Sequence, residues 1–295
     1  MFDQKNWQLP KKAFLLLKRN DPLRMAGATA FFTSFSLPFI LIILIQLFGL
    51  VLDRHTLSQH LFNSLSDMLG NQGMQQIRDI SRGFRRLVTN DYIAVGGFIF
   101  LLFVVTTLFK VIKDSINQLW QIKPSDGKLS DSLWPRLRSM VLILLAGILC
   151  LVDLTGEGLL VVFRHSIIEL GHTTASAIFS VLQQLFSFLI ITGWIVGLFI
   201  YLPDGRFSFK VTLKGASLTG ALFTIGKIVL GRLLIFGNIQ RIYGTSGSFV
   251  ILLLFVFYIA LILYYGAAFT AALADYSKET VRQAAHARLT SSWNK

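Results

Sequence analysis

Six stretches of this 295-residue chain stay apolar for about 20 residues or more, the length that crosses a bilayer. They cover residues 25–52, 92–112, 139–163, 175–202, 211–237 and 247–275. The pattern predicts an all-α, polytopic membrane helix bundle of about six transmembrane helices, with amphipathic helices at the interface and in an outer loop. Two longer tracts lie between or before the spans. In residues 1–24, Lys11, Lys12, Lys18 and Arg19 bracket the apolar run from Ala13 to Leu17. That reads as a short basic helix lying in the membrane interface, with a disordered basic leader as the plain alternative. Asp21-Pro22 then looks like a fresh helix start, with Asp21 as N-cap and Pro22 at the first helical position. In residues 53–91, Leu57, Leu61, Leu65 and Met68 recur at helical steps, as do Ile77, Ile80, Phe84 and Leu87, with Arg78, Arg82, Arg85 and Arg86 off that stripe. This predicts an outer helical hairpin broken at Asn71-Gln72-Gly73. The division expected is a basic segment (1–24), a six-helix domain (25–275) and a tail (276–295). No internal repeat stands out.

Composition agrees. Apolar residues other than Gly make up 54% of the chain, above the roughly 45–50% of soluble domains even with Gly included, and only 15% are charged. The mean hydropathy is +0.62. The first apolar run is too long for a cleaved leader and is expected to be a span. The lone cysteine, Cys150, sits in an apolar run and permits no disulfide framework. A net charge of +13 would suit nucleic acid in a soluble protein. Here its distribution follows the spans: 18 of the 28 Lys and Arg fall on the side holding both termini, seven on the other. The positive-inside rule places both termini in the cytoplasm and makes membrane lipid, not nucleic acid, the expected partner.

Several positions carry possible chemistry. Pro38 interrupts the first span and removes the hydrogen bond to the Ser34 carbonyl; with Thr33, Ser34 and Ser36 beside it, the segment is either a hydroxyl-lined hinge or a static kink. Asp153 and Glu157 on the third span, and Lys227 and Arg232 on the fifth, fall in the outer half at about 1.5 Å per residue. Ionisable groups at that depth are functional candidates. Either the acids face the bases across an outward-open cavity, or they mark helix ends and Lys227 snorkels. Gln183 and Gln184 fall near the same depth. Gly193 and Gly197 form GxxxG, and Gly215, Gly226 and Gly237 share one face of the fifth span, which reads as close helix packing. The outer-loop histidines have no metal-site spacing. No HExxH, Walker A loop, GxGxxG or nucleophile elbow occurs, so neither catalysis, metal nor cofactor is expected.

Five segments taken in order carry a resemblance: GATAFFTSFSLPFILI in the first span, INQLW ending in Trp120, GRFSFKVTLKGASLTGALFTIGK after Leu202-Pro203-Asp204, IYGTSGSFVILLLFVFY, and ILYYGAAFTAAL. Together they resemble the YihY/BrkB family over about residues 10–275. The resemblance implies a six-helix bacterial inner-membrane protein without a settled activity. Some members are suspected of transport, including of lipid or envelope components. The label ribonuclease BN has been attached to others, yet the loops here offer neither metal-binding carboxylates nor a general base. By motif, the resemblance points to Pro38, Asn117, Trp120, Pro203, Lys227, Tyr243, Gly244 and Gly266. Two departures stand out. The family's acid after the Gly-Ala pair is replaced by Ala268, and its Trp before Tyr258 is absent, with Phe255 and Phe257 nearby.

The expectation is therefore a non-enzymatic transporter or lipid-handling protein with a polar cavity in the outer half, taking an anionic or amphipathic substrate. A membrane scaffold or assembly factor is the alternative, and a ribonuclease the remotest.

Overall fold

A computed structural model describes residues 8–48, 91–123, 145, 148–149, 152, 173–236, 247–279, 282–283 and 288–289. The predicted hairpin of residues 53–91 and most of the third span lie outside these. Six helices account for nearly all of the described chain: α1 Gln8–Lys18, α2 Pro22–Phe48, α3 Asp91–Leu119, α4 Thr173–Tyr201, α5 Phe209–Phe236 and α6 Gly247–Tyr276. Helices α2 to α6 correspond to the first, second, fourth, fifth and sixth apolar runs. Among the described residues, Val181–Tyr201 and Phe249–Tyr276 are long and apolar enough to cross a membrane. Phe31, Phe35, Phe103, Leu189 and Ile225 are exposed on the outside of the helices, an apolar surface that water would penalise and lipid accepts.

Helix α6 is the hub. It packs against α5, α2, α1 and α3, and its C-terminal half is lined by Ala267, Ala268, Ala271, Ala272 and Ala274, all buried. Small side chains let several helices approach one axis, and close packing is what drives helix association where lipid removes the hydrophobic incentive. The contact with α5 is reciprocal. Each helix carries a G-A-x-x-T segment, Gly215 to Thr219 and Gly266 to Thr270. A Cβ added at Gly266 would lie 1.7 Å from the Thr219 hydroxyl, and one at Gly215 would lie 1.9 Å from that of Thr270. Each threonine occupies the notch left by the other helix's glycine. Its hydroxyl is satisfied within its own helix, Thr219 by Gly215 O and Thr270 by Gly266 O, both at 2.8 Å. Farther along, Gly226 receives the ring of Tyr258, so the predicted glycine face of the fifth run does turn toward a neighbour. The GxxxG pair of α4 behaves differently. Gly197 abuts Leu145, while Gly193 faces open space.

The basic helix α1 forms as the charge bracket predicted, but its apolar stripe, Leu9, Ala13 and Leu17, is buried in the packing against α6. Lys12 pairs with Asp275, and Tyr265 Oη donates to Pro10 O at 3.4 Å. Asn20 Nδ2 donates to Leu16 O at 2.7 Å and closes α1. Asp21 takes the expected N-cap position, directly before Pro22 as the first residue of α2, but with an unusual backbone. Its φ of 52° puts it in the left-handed region, and it starts α2 with its backbone carbonyl, which accepts from Met25 N. The left-handed backbone replaces the extended geometry usual at an N-cap, in a connection of three residues between α1 and α2.

Helix α6 ends in a Schellman turn: Lys278 N donates to Asp275 O and Glu279 N to Ala274 O, with Lys278 left-handed at φ 53° where glycine is usual. The turn aims Glu279 at the start of α5, where its carboxylate accepts from Ser208 N at 3.4 Å and Ser208 Oγ at 2.9 Å. A carboxylate there meets the positive end of the helix dipole. The tail then pairs with both turns at this end of the bundle. Strand β1 (Ile122–Lys123) pairs antiparallel with β4 (Arg288–Leu289), and β2 (Gly205–Arg206) with β3 (Arg282–Gln283). The tail is thus structural, joining the ends of α3 and α4.

Candidate functional site

Two places in the bundle gather polar side chains. The first is its basic end. Lys113, Asn117 and Trp120 follow each other at steps of four and three, so they share one face of α3. That face meets the turn between α4 and α5. Asn117 Nδ2 donates to the Asp204 carboxylate at 2.9 Å, and Asp204 N donates back to Asn117 Oδ1 at 3.0 Å. Lys113 Nζ lies 2.9 Å from the same carboxylate. One asparagine side chain therefore satisfies both the backbone and the side chain of Asp204, beside the buried Pro203. Trp120 is fully buried. Its indole donates to Ala267 O at 3.0 Å, and its ring meets Phe199 and Phe207 edge-on at 6.0 and 4.8 Å. Asn117, Trp120 and Pro203 are thereby brought together as a latch tying α3, the α4–α5 turn and α6 at Ala267, whereas Gly266 faces Thr219 of α5. Next to it, the packed surroundings partly desolvate Asp114, which still keeps exposed surface, and raise its carboxyl above its ordinary value; Lys110 and Lys113 oppose the rise, and the charge of Asp204 adds to it. One turn above, the buried Tyr264 of α6 shares its hydroxyl with Thr29 of α2 and Ser115 of α3.

The second place lies toward the opposite end, between α4 and α5, which pack against each other. Residues 181–185 of α4 are exposed at every position. Five consecutive residues exceed one turn, so every face of α4 keeps exposed surface over this stretch. Nearer the basic end, Thr192, Ile195, Leu198 and Phe199 of α4 are buried. The register follows from Gly220, which faces Thr192 and Phe188. Two turns farther along α5, position 227 returns to that face, and in an antiparallel pair it comes level with residues 183–184. Lys227 is exposed there, so the register sets Lys227 level with Gln183 and Gln184. Below it, Thr192 Oγ1 is buried and has no hydrogen-bond partner among the described residues.

The remaining candidates divide. Pro38 lies within an unbroken α2. Four residues before it, Ser34 is buried with its hydroxyl unpartnered among the described residues, while Ser36 Oγ donates to Thr33 O at 3.2 Å, one carbonyl short of the one that proline frees. Asp153, Glu157, Tyr243 and Gly244 fall outside the described residues, as does the side chain of Arg232. Sequence reasoning passed over Lys113, Asp204, Thr219 and Thr270. The signals were present: Lys113 sits four residues before Asn117, and the segment from Gly215 to Thr219 has the same G-A-x-x-T form as that from Gly266 to Thr270.

Comparison with known proteins bears on this arrangement. The profile of the family described as Virulence factor BrkB matches residues 13–290, which includes every residue of the latch. The chain is also similar to a "UPF0761 membrane protein" of Teredinibacter turnerae (strain ATCC 39867 / T7901), at 24% identity over 287 residues. That alignment covers 92% of this chain and 61% of the relative, so the chain spans about six-tenths of the length of that protein. No solved structure matches.

Proposed function

The chain belongs to the BrkB family of membrane proteins, and on that premise we propose that it is a multi-pass transporter or lipid-handling protein of the bacterial inner membrane with both termini in the cytoplasm. Its six apolar runs form the bundle, and its substrate enters from the outer side through the cleft between α4 and α5. The observation that carries this reading is the asymmetry of α4, exposed on every face at residues 181–185 and packed from Thr192 onward. In this reading the latch of Lys113, Asn117, Asp204 and Trp120 is the closed cytoplasmic gate. A bundle sealed on one side and parted on the other has the form of one state of an alternating-access cycle.

The chemistry of the cleft sets the substrate class. Lys227 offers an ammonium, Gln183 and Gln184 offer amides, and Val181, Leu182 and Leu185 are exposed apolar neighbours. An amphipathic anion suits that lining. Asp153, Glu157 and Arg232 are assigned to the same outer half by their depth in sequence, with Ser34 and Pro38 as the hinge of α2. Native mass spectrometry of the protein extracted with its lipid tests the proposal: a retained anionic species that is lost in Lys227→Met supports it. Equal retention by both forms would overturn it and leave the membrane scaffold as the working alternative.

A further inference from the structure

A separate cleft of about 440 Å³ opens at the other end of the molecule, between α1 and the C-terminus of α6. Gln8, Leu9, Lys12, Asp275, Tyr276 and Lys278 line it. Two ammonium groups face a single carboxylate, and Lys12 already pairs with Asp275, which leaves Lys278 as the excess positive charge of the lining. Leu15, on the same side of α1 as the lining residues, and Tyr276 expose apolar surface beside it. A cationic cleft flanked by exposed apolar side chains at the end of an apolar span matches a phospholipid, with its headgroup in the cleft and its chains alongside.

Lys278 supplies an independent observation. It holds the left-handed position of the Schellman turn, which any residue but glycine occupies at a cost. The fold would be served better by glycine, and what lysine adds there is an ammonium directed at the cleft. Strain retained at one position is a pointer to a role beyond folding.

We infer that this cleft binds the phosphodiester headgroup of an anionic phospholipid, with Lys12 and Lys278 as its donors and Asp275 as the counter-charge that the headgroup displaces from Lys12. Because α1 and α6 supply the two walls, a bound headgroup fastens α1 to the hub helix. The site is distinct from the α4–α5 cleft and stands or falls without it.

The test titrates full-length protein in detergent with phosphatidylglycerol, phosphatidylcholine or inorganic phosphate, and reads binding by native mass spectrometry and stability by thermal unfolding. Phosphatidylglycerol should bind in preference to phosphatidylcholine. Each of Lys12→Gln and Lys278→Gly should weaken it roughly fivefold, the effect of one basic side chain at an anionic surface, and Asp275→Asn should strengthen it. Lys278→Gly separates binding from folding. Relief of the left-handed strain should raise its midpoint in phosphatidylcholine, while its gain from phosphatidylglycerol shrinks. Unchanged phosphatidylglycerol affinity in Lys278→Gly would overturn the inference, as would equal stabilisation by inorganic phosphate alone.

Discussion

Gly266→Ala probes the packing of the hub helix most sharply. The new methyl would lie 1.7 Å from Thr219 Oγ1, 2.9 Å from its Cβ and 3.1 Å from its Cγ2. Rotation of the threonine removes the first overlap, but it breaks the hydroxyl's bond to Gly215 O and does not move the Cβ. Helices α5 and α6 must therefore separate by a few tenths of an ångström along a fully buried seam. Overpacking of this kind costs about 1–3 kcal/mol, and the lost hydrogen bond about 1 kcal/mol. Replacing glycine in a helix returns about 1 kcal/mol. The net expectation is destabilisation by about 1–3 kcal/mol. Gly193→Ala is the control, because nothing lies within 4 Å of its added Cβ; it should stabilise by up to about 1 kcal/mol. Unfolding titrated with SDS in mixed micelles and followed by circular dichroism measures both. Adding Thr219→Ala to Gly266→Ala should recover about half the loss, since it removes Oγ1 and Cγ2 but leaves the Cβ contact. If Gly266→Ala behaved like Gly193→Ala, the interlocked seam would be refuted.

Three further outcomes follow from the latch. Asp204→Asn leaves the Lys113 ammonium facing a neutral amide and should destabilise by about 1.5–3 kcal/mol, the range of hydrogen bonds to charged groups, as read by the same titration. Trp120→Phe keeps the ring contacts with Phe199 and Phe207 but loses the bond to Ala267 O, for a loss of about 1 kcal/mol. Asp114 has its carboxyl raised by partial desolvation, so the folded state holds the proton more tightly than the unfolded one. Its contribution to stability is then fully present below the ordinary carboxylate value near 3.8 and is lost as pH rises through the folded value. Asp114→Asn should accordingly be more stable than the parent at pH 7, with the difference closing on acidification in a pH series of unfolding midpoints.

The features that were legible in the sequence are those written in short-range periodicity. Apolar runs gave the long helices, the charge bracket around Ala13–Leu17 gave α1, and the eleven-residue spacing of Gly215 and Gly226 gave the face of α5 that meets α6. The features that were missed depend on which helix faces which. Of the GxxxG pair read as packing in α4, Gly197 does meet Leu145 while Gly193 faces open space; the notch between α5 and α6 is a glycine on one helix with a threonine on another, a pairing that spacing within one segment does not reveal. Asp204 reads as a loop acid until the turn after α4 is folded against α3. Lys227 stood out by its depth and by motif, with Gln183 and Gln184 near the same depth; which face of α4 it meets follows only from the antiparallel register fixed at Gly220. The tail read as a basic extension, since two-residue strands carry no periodic signal.

The proposed opening between α4 and α5 is tested most directly by accessibility at Gln184. In a Cys150→Ser background, Gln184→Cys is labelled with a membrane-impermeant maleimide in right-side-out and inverted membrane vesicles. The proposal predicts labelling from the outer side and protection from the cytoplasmic side, where the latch closes the bundle. Labelling from the cytoplasmic side alone, or from neither side, would contradict it.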